Sequence, residues 1–184
     1  TTDPDSGQLS KEGKPDGFHY SEHRTVDSKN NVIVNVHLTA ANISDVTPVP
    51  EILKEIQTRL GRLPGYMGFD AGYHSAAIAH LLEENGIQGV IGYRRHTYKT
   101  DYFGKWRFRY DGYFDAYVCP NKKYLYWRTT DRKGYREYYS DAKACRGCPY
   151  RDKCFSEKAT RRQVNRHVWQ DALDAVTAFT KTPK

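Results

Sequence analysis

Val32, Val34, Val36 and Leu38 recur at every second position, the period that places side chains on one face of a β-strand. Residues 19–25 read as the neighbouring strand, and the polar stretch Asp27-Ser28-Lys29-Asn30-Asn31 between them makes the pair a β-hairpin with its valines on one face. The period then lengthens: Ile52, Leu53, Ile56 and Leu60 form the stripe of a helix that Pro48 and Pro50 open and Gly61 ends. Residues 66–69 are a short apolar strand. Ala76, Ile78, Ala79, Leu81 and Leu82 return to helical spacing over 75–85, with Gly86 as the stop, and residues 87–93 supply one more strand. The predicted order is β-β-α-β-α-β, an α/β class.

Beyond residue 93 the pattern changes. Lys105-Trp106-Arg107-Phe108-Arg109-Tyr110 alternates basic and aromatic residues, and residues 116–119 and 124–129 flank a Pro-Asn-Lys-Lys turn in hairpin fashion. Val164, Val168, Ala172, Ala175, Val176 and Phe179 predict one helix over about 162–180. Three regions are expected: a core over 1–93, a Cys-rich, mainly β module over 94–158, and a helix in 159–184 leading back to the core. No internal repeat or low-complexity tract stands out.

Composition sharpens this division. The net charge is +7, yet residues 1–92 hold 7 basic against 12 acidic side chains and residues 93–184 hold 22 against 10. Of 25 aromatic residues, 20 follow residue 92, so cations and flat rings are interleaved there. That mixture suits phosphate contact and base stacking, and equally a solvated basic face over a small aromatic β core. No apolar run approaches the ~18 residues of a membrane span, and no secretory signal opens the sequence, so a cytoplasmic site without membrane contact is expected.

Two groups carry candidate chemistry. In Gly68-Phe69-Asp70-Ala71-Gly72-Tyr73, Asp70 stands at the end of a strand, just before a glycine turn and a helix, where ligands gather in open α/β sheets. Asp70 is read as a metal-binding carboxylate or as a cap for the following helix; Tyr73 packs beside it, touches DNA, or closes the turn. The cysteines are Cys119, Cys145, Cys148 and Cys154. Four thiolates complete a tetrahedral Zn2+ site, and a short module with a modest core gains most from such a staple. Their spacing also resembles the 4Fe-4S module of some DNA nucleases, and unliganded thiols are the third reading. Either metal site would be structural, because four Cys leave no position for a reacting water. In the expected cytoplasm, disulfides are disfavoured.

The strand carrying Asp70, preceded by His23-Arg24-Thr25-Val26-Asp27 and by Leu38-Thr39-Ala40-Ala41-Asn42-Ile43-Ser44-Asp45, resembles the DDE transposases of bacterial insertion sequences in the IS4/IS5 group, most of all the IS1182-like branch. The likeness continues through Gly89-Val90-Ile91-Gly92-Tyr93-Arg94-Arg95, the cysteine segment and Arg166-His167-Val168-Trp169. It implies an RNase H-like core and three carboxylates holding Mg2+, which cleave and join double-stranded DNA at transposon ends. Only the second Asp aligns, as Asp70. The chain is therefore expected to be an internal fragment, a partial RNase H-like core whose first strand and Glu helix are missing, and to be inactive alone. Asp3 and Asp5 fall in a Pro/Gly turn, and Glu137 and Glu157 lie outside the Glu motif. The resemblance further implies homo-oligomeric assembly of the full-length protein at the bacterial nucleoid, with Arg94, Arg95, Lys105, Arg107 and Arg109 as candidate DNA contacts. His167 is expected on a helix surface. Alternatives are an RNase H-like nuclease that hydrolyses without joining, or a nonenzymatic Cys-rich DNA-binding remnant of a decayed element.

Overall fold

A computed structural model describes residues 3–10, 13, 15–93 and 101–182. The chain divides into two compact units, Thr1–Arg94 with Ala172–Lys184, and Arg95–Asp171.

In the first unit, β1 (Gly7–Leu9), β2 (Gly17–Asp27) and β3 (Val32–Ala40) form an antiparallel sheet in the order β1-β2-β3. The Asp27 carboxylate accepts from the Asn30 and Lys29 amides, and Asn31 takes a positive φ of 55°, which closes the β2–β3 hairpin. Helix α1 (Val49–Leu60) opens on Pro48 and ends at Gly61 in the left-handed region. Strand β4 (Tyr66–Phe69), helix α2 (Ala76–Glu84) and strand β5 (Gln88–Ile91) follow. β4 and β5 run parallel, Tyr66 opposite Gln88 and Phe69 opposite Ile91. Helix α5 (Gln170–Thr180) brings Ala172 and Val176 into a core with Val49, Leu53, Ile78, Ala79, Leu82, Ile87 and Ile91.

The hairpin is where expected, but its apolar face is turned outward. Val32, Val36 and Leu38 are exposed, Leu38 at 61%, while Asn35 is fully buried. The cause lies on α1: Glu55 accepts from Asn35 Nδ2 at 2.8 Å and holds His37 Nδ1 at 2.9 Å, so two polar side chains of β3 are tied to the helix, although the buried Asn35 Oδ1 has no partner among the described residues. Leu60, expected in the helix stripe, is also exposed, at the last turn.

The second unit is an antiparallel sheet in the order β10-β9-β8-β7-β6, built from β6 (Arg109–Asp111), β7 (Ala116–Val118), β8 (Tyr124–Thr130), β9 (Tyr135–Ser140) and β10 (Gln163–His167). Two short helices, α3 (Ala142–Arg146) and α4 (Arg151–Cys154), lie between β9 and β10 in the chain. Phe108, Tyr117, Leu125, Tyr138 and Val164 form its core. The Tyr138 and Tyr110 hydroxyls both donate to Asp115 Oδ1, at 2.6 and 2.7 Å, fixing the β6–β7 turn where Asp115 takes a φ of 42°.

The single helix expected over 162–180 is instead the strand β10 followed by α5. Val164 and Arg166 are buried while Gln163 and Asn165 are exposed, a period of two that is hidden by the Val164 and Val168 spacing. The open edge of β9 captures these residues, with Gln163 opposite Tyr139 and His167 opposite Tyr135. His167 is thus a strand residue, its ring against Tyr135 at 5.0 Å.

Candidate functional site

Asp70 follows the last residue of β4, with extended backbone at φ −71°, ψ 174°. Its Oδ1 accepts from the Gly72 amide at 2.7 Å, so the carboxylate caps the 3-10 turn Ala71–Tyr73; Ser75 caps α2 itself. The turn is wedged from the β5 side: the Gly92 amide donates to Phe69 O at 3.0 Å, and a Cβ on Gly92 would meet the Ala71 nitrogen at 2.9 Å. Asp70 is exposed, and the Tyr73 ring lies 5.0 Å from Phe69. Burial, with the nearby charges of Asp45 and Asp70, raises the Tyr73 hydroxyl pKa.

Asp70 looks into a cleft of about 1140 Å³. Residues 22–27 of β2 form one wall and residues 66–69 of β4 another, with Val49, Ile52 and Ile56 of α1 between them. Among the described residues β4 pairs only with β5, and β2 beyond His19 pairs only with β3. Both walls therefore carry strand edges with open backbone donors and acceptors. Asp45 also lines this cleft. In the sequence Asp45 sits between the hairpin and Pro48, where nothing distinguishes it from a loop residue.

The other acids are placed elsewhere. Asp3 and Asp5 occupy an exposed turn, where Asp3 accepts from the Tyr20 hydroxyl. Glu137 accepts from the Tyr139 hydroxyl at 2.7 Å, and Glu157 is exposed. For Mg2+, the oxygen donors Asp70 and Asp45 share the cleft and are of the right chemical type. Among the described residues, however, no three His, Cys, Asp or Glu side chains stand together closely enough to hold a metal ion.

In the second unit the four cysteines line one cavity of about 370 Å³. Cys119 closes the β7–β8 turn, where its Sγ accepts from the Lys123 amide at 3.4 Å. Cys145 lies in α3 and donates to Ser140 Oγ at 3.2 Å, Cys148 follows the Gly147 cap, and Cys154 ends α4. All four are free thiols. Burial pushes the Cys154 thiol up to about 11, against the pull of Arg162 and with the other three cysteines adding to the rise.

Of the candidate DNA contacts, Arg94 and Arg95 lie outside the described residues. Lys105 and Arg107 belong to a 3-10 turn rather than to the strand of Arg109, so the alternation of 105–110 does not make one face. Arg107 is exposed and stacks over Trp106 at 4.7 Å, Lys105 lies 5.9 Å from the Tyr117 ring centre, and Arg109 is exposed on β6.

A mixed α/β chain with a carboxylate at the end of a parallel strand, beside an open cleft, places that carboxylate where ligands gather in open α/β sheets. The chain belongs to the transposase DDE domain family, whose model matches residues 8–174. No curated protein and no solved structure matches it. Membership of this family defines a transposase function in general, with DNA as the substrate and divalent metal ions as the usual cofactors. Among the described residues no helix is long and apolar enough to cross a membrane.

Proposed function

We propose that this chain supplies part of the RNase H-like catalytic core of an IS1182-like insertion-sequence transposase, with Asp70 as the second of the three metal-binding carboxylates. The observation that supports this reading most strongly is the cleft beside Asp70. An extended segment lying between β2 and β4 would satisfy both open edges and join the two sheets, and a carboxylate on it would face Asp70. The first Asp and the Glu then come from other segments of the parent protein, with residues 94–158 inserted ahead of the Glu helix. Asp45 is a further oxygen donor at the same cleft.

Asp70, with Asp45 at the same cleft, would help hold Mg2+, and the metal would supply activation of a water or a 3′-hydroxyl and charge stabilisation for an in-line displacement at phosphorus. The attacking oxygen forms the new P–O bond as the old one breaks, releasing a 3′-hydroxyl. Asp70 holds its carboxylate at the strand end through the Gly72 amide, and the Gly92 contact keeps that turn in place. Asp70 and Asp45 together still fall short of the three carboxylates the family's chemistry uses, so these 184 residues alone are inactive on DNA. Arg94, Arg95, Lys105, Arg107 and Arg109 bind the phosphate backbone of double-stranded DNA, and the parent acts in the bacterial cytoplasm as a homo-oligomer.

The test is cleavage and joining of a duplex bearing the element's ends by the full-length parent and by its Asp70→Ala variant. Loss of both steps in the variant fits the proposal. Cleavage without joining by the wild type would make the parent a nuclease. Activity unchanged by the substitution would leave a DNA-binding remnant.

A further inference from the structure

Three separate short segments bring the cysteines to one cavity: the β7–β8 turn, α3 with its Gly147 cap, and the end of α4. Helices of five and four residues do not hold themselves, because the cost of helix nucleation is not recovered over one turn. Part of their support is visible. Arg151 Nη2 donates to Ala159 O at 2.8 Å, and Arg162 donates to Cys154 O and Phe103 O, both at 2.8 Å. No disulfide ties them.

The lining selects for a soft cation. It contains no His and no Glu, and its one acid, Asp141, accepts from the Lys143 amide as the cap of α3. Apart from neutral amide and hydroxyl oxygens such as those of Asn121 and Ser140, the donors left are four sulfurs, a set that favours zinc or iron over magnesium or calcium. Charge agrees with this choice. Four thiolates around a divalent ion carry a net charge of about −2, and Arg151, Arg162, Lys122 and Lys123 line the same cavity. The buried Arg162 Nε has no hydrogen-bond partner among the described residues. The Lys123 amide already donates to Cys119 Sγ, a bond that strengthens when the sulfur becomes an anion.

We propose that Cys119, Cys145, Cys148 and Cys154 bind one Zn2+ as a structural tetrathiolate centre that fastens α3 and α4 to the β7–β8 turn. The thiols as described do not converge on one ion, so binding draws them inward within the cavity and breaks the Cys145–Ser140 hydrogen bond. Each ligating thiol releases its proton and nothing is oxidised. This proposal is independent of the role given to Asp70.

The full chain, purified anaerobically without chelator, is assayed for zinc, iron and acid-labile sulfide, and its metal-free form is titrated with Co2+. The expected result is one zinc per chain and the visible bands of a tetrahedral thiolate cobalt site. Cys148→Ser and Cys154→Ser should lose both. Cys145→His, which keeps a ligand, should still bind Co2+ with a shifted spectrum, and this variant separates ligation from a general folding defect. Iron with sulfide in a brown protein would overturn the zinc assignment. A wild type that binds Zn2+ and Co2+ no better than the serine variants would overturn the site.

Discussion

Gly92 and Ala71 approach so closely that no side chain fits between them: a Cβ on residue 92 would lie 2.9 Å from the Ala71 nitrogen. The obstacle is backbone, which cannot swing aside as a flexible side chain would. Gly92→Val therefore pushes the Asp70 turn away from β5 and costs about 1–3 kcal/mol in urea denaturation. In the parent it should depress catalysis without touching DNA directly.

Asp70 has a structural task as well as its proposed chemical one, and the two separate by substitution. Asp70→Asn keeps an oxygen to accept from Gly72 and should leave stability within about 0.5 kcal/mol; Asp70→Ala loses the cap and should cost about 1 kcal/mol. Both should abolish strand cleavage by the parent. If Asn supports cleavage, the carboxylate is a cap and not a metal ligand.

The open edges of β2 and β4 leave the first unit short of backbone partners. The isolated chain should unfold over a broad temperature range and aggregate on heating. A sharp, cooperative calorimetric transition would contradict this.

In the second unit, burial raises the Asp115 pKa, but hydrogen bonds from Tyr138 and Tyr110 and the charges of Arg136 and Arg166 outweigh it, leaving the carboxyl below its ordinary value. A depressed carboxylate stabilises the fold above its ordinary range, and that contribution is lost as pH falls through the lowered value. Burial and the same Asp115 bond raise the Tyr138 hydroxyl pKa, so its contribution is present below the ordinary tyrosine range and lost as pH rises beyond it. Tyrosinate absorbance should show a class of tyrosines that ionises late, and Tyr138→Phe should remove its latest member at a cost of about 1–2 kcal/mol.

If the basic residues contact phosphates, DNA affinity falls steeply with salt. Arg107→Ala and Arg109→Ala should each weaken duplex binding and reduce the slope of log affinity against log salt by about one. Slopes unchanged by both substitutions would place the DNA path elsewhere.

Much of the first unit is legible because its signals are local. Residues 66–69 form the strand expected, Pro48 and Gly61 bound α1, and Ser75 and Gly86 bound α2. The outward face of Val32, Val36 and Leu38 is not legible, because the period of a strand does not say which face is covered; Glu55, some 20 residues away from Asn35, decides it. Strand β10 is not legible for a related reason, since β9 supplies its ladder from a distance in the sequence. At the candidate site, Asp70 stands out through its strand-turn-helix context. Asp45 joins it only through the path of the chain into α1.

The most direct test of the account is a strand-transfer assay with the full-length parent in Mg2+, on a duplex carrying the element's ends, comparing wild type with Asp70→Asn. The account predicts cleaved and joined products from the wild type and background levels from a variant that folds and binds the same DNA. Cleavage and joining that survive in Asp70→Asn would contradict it.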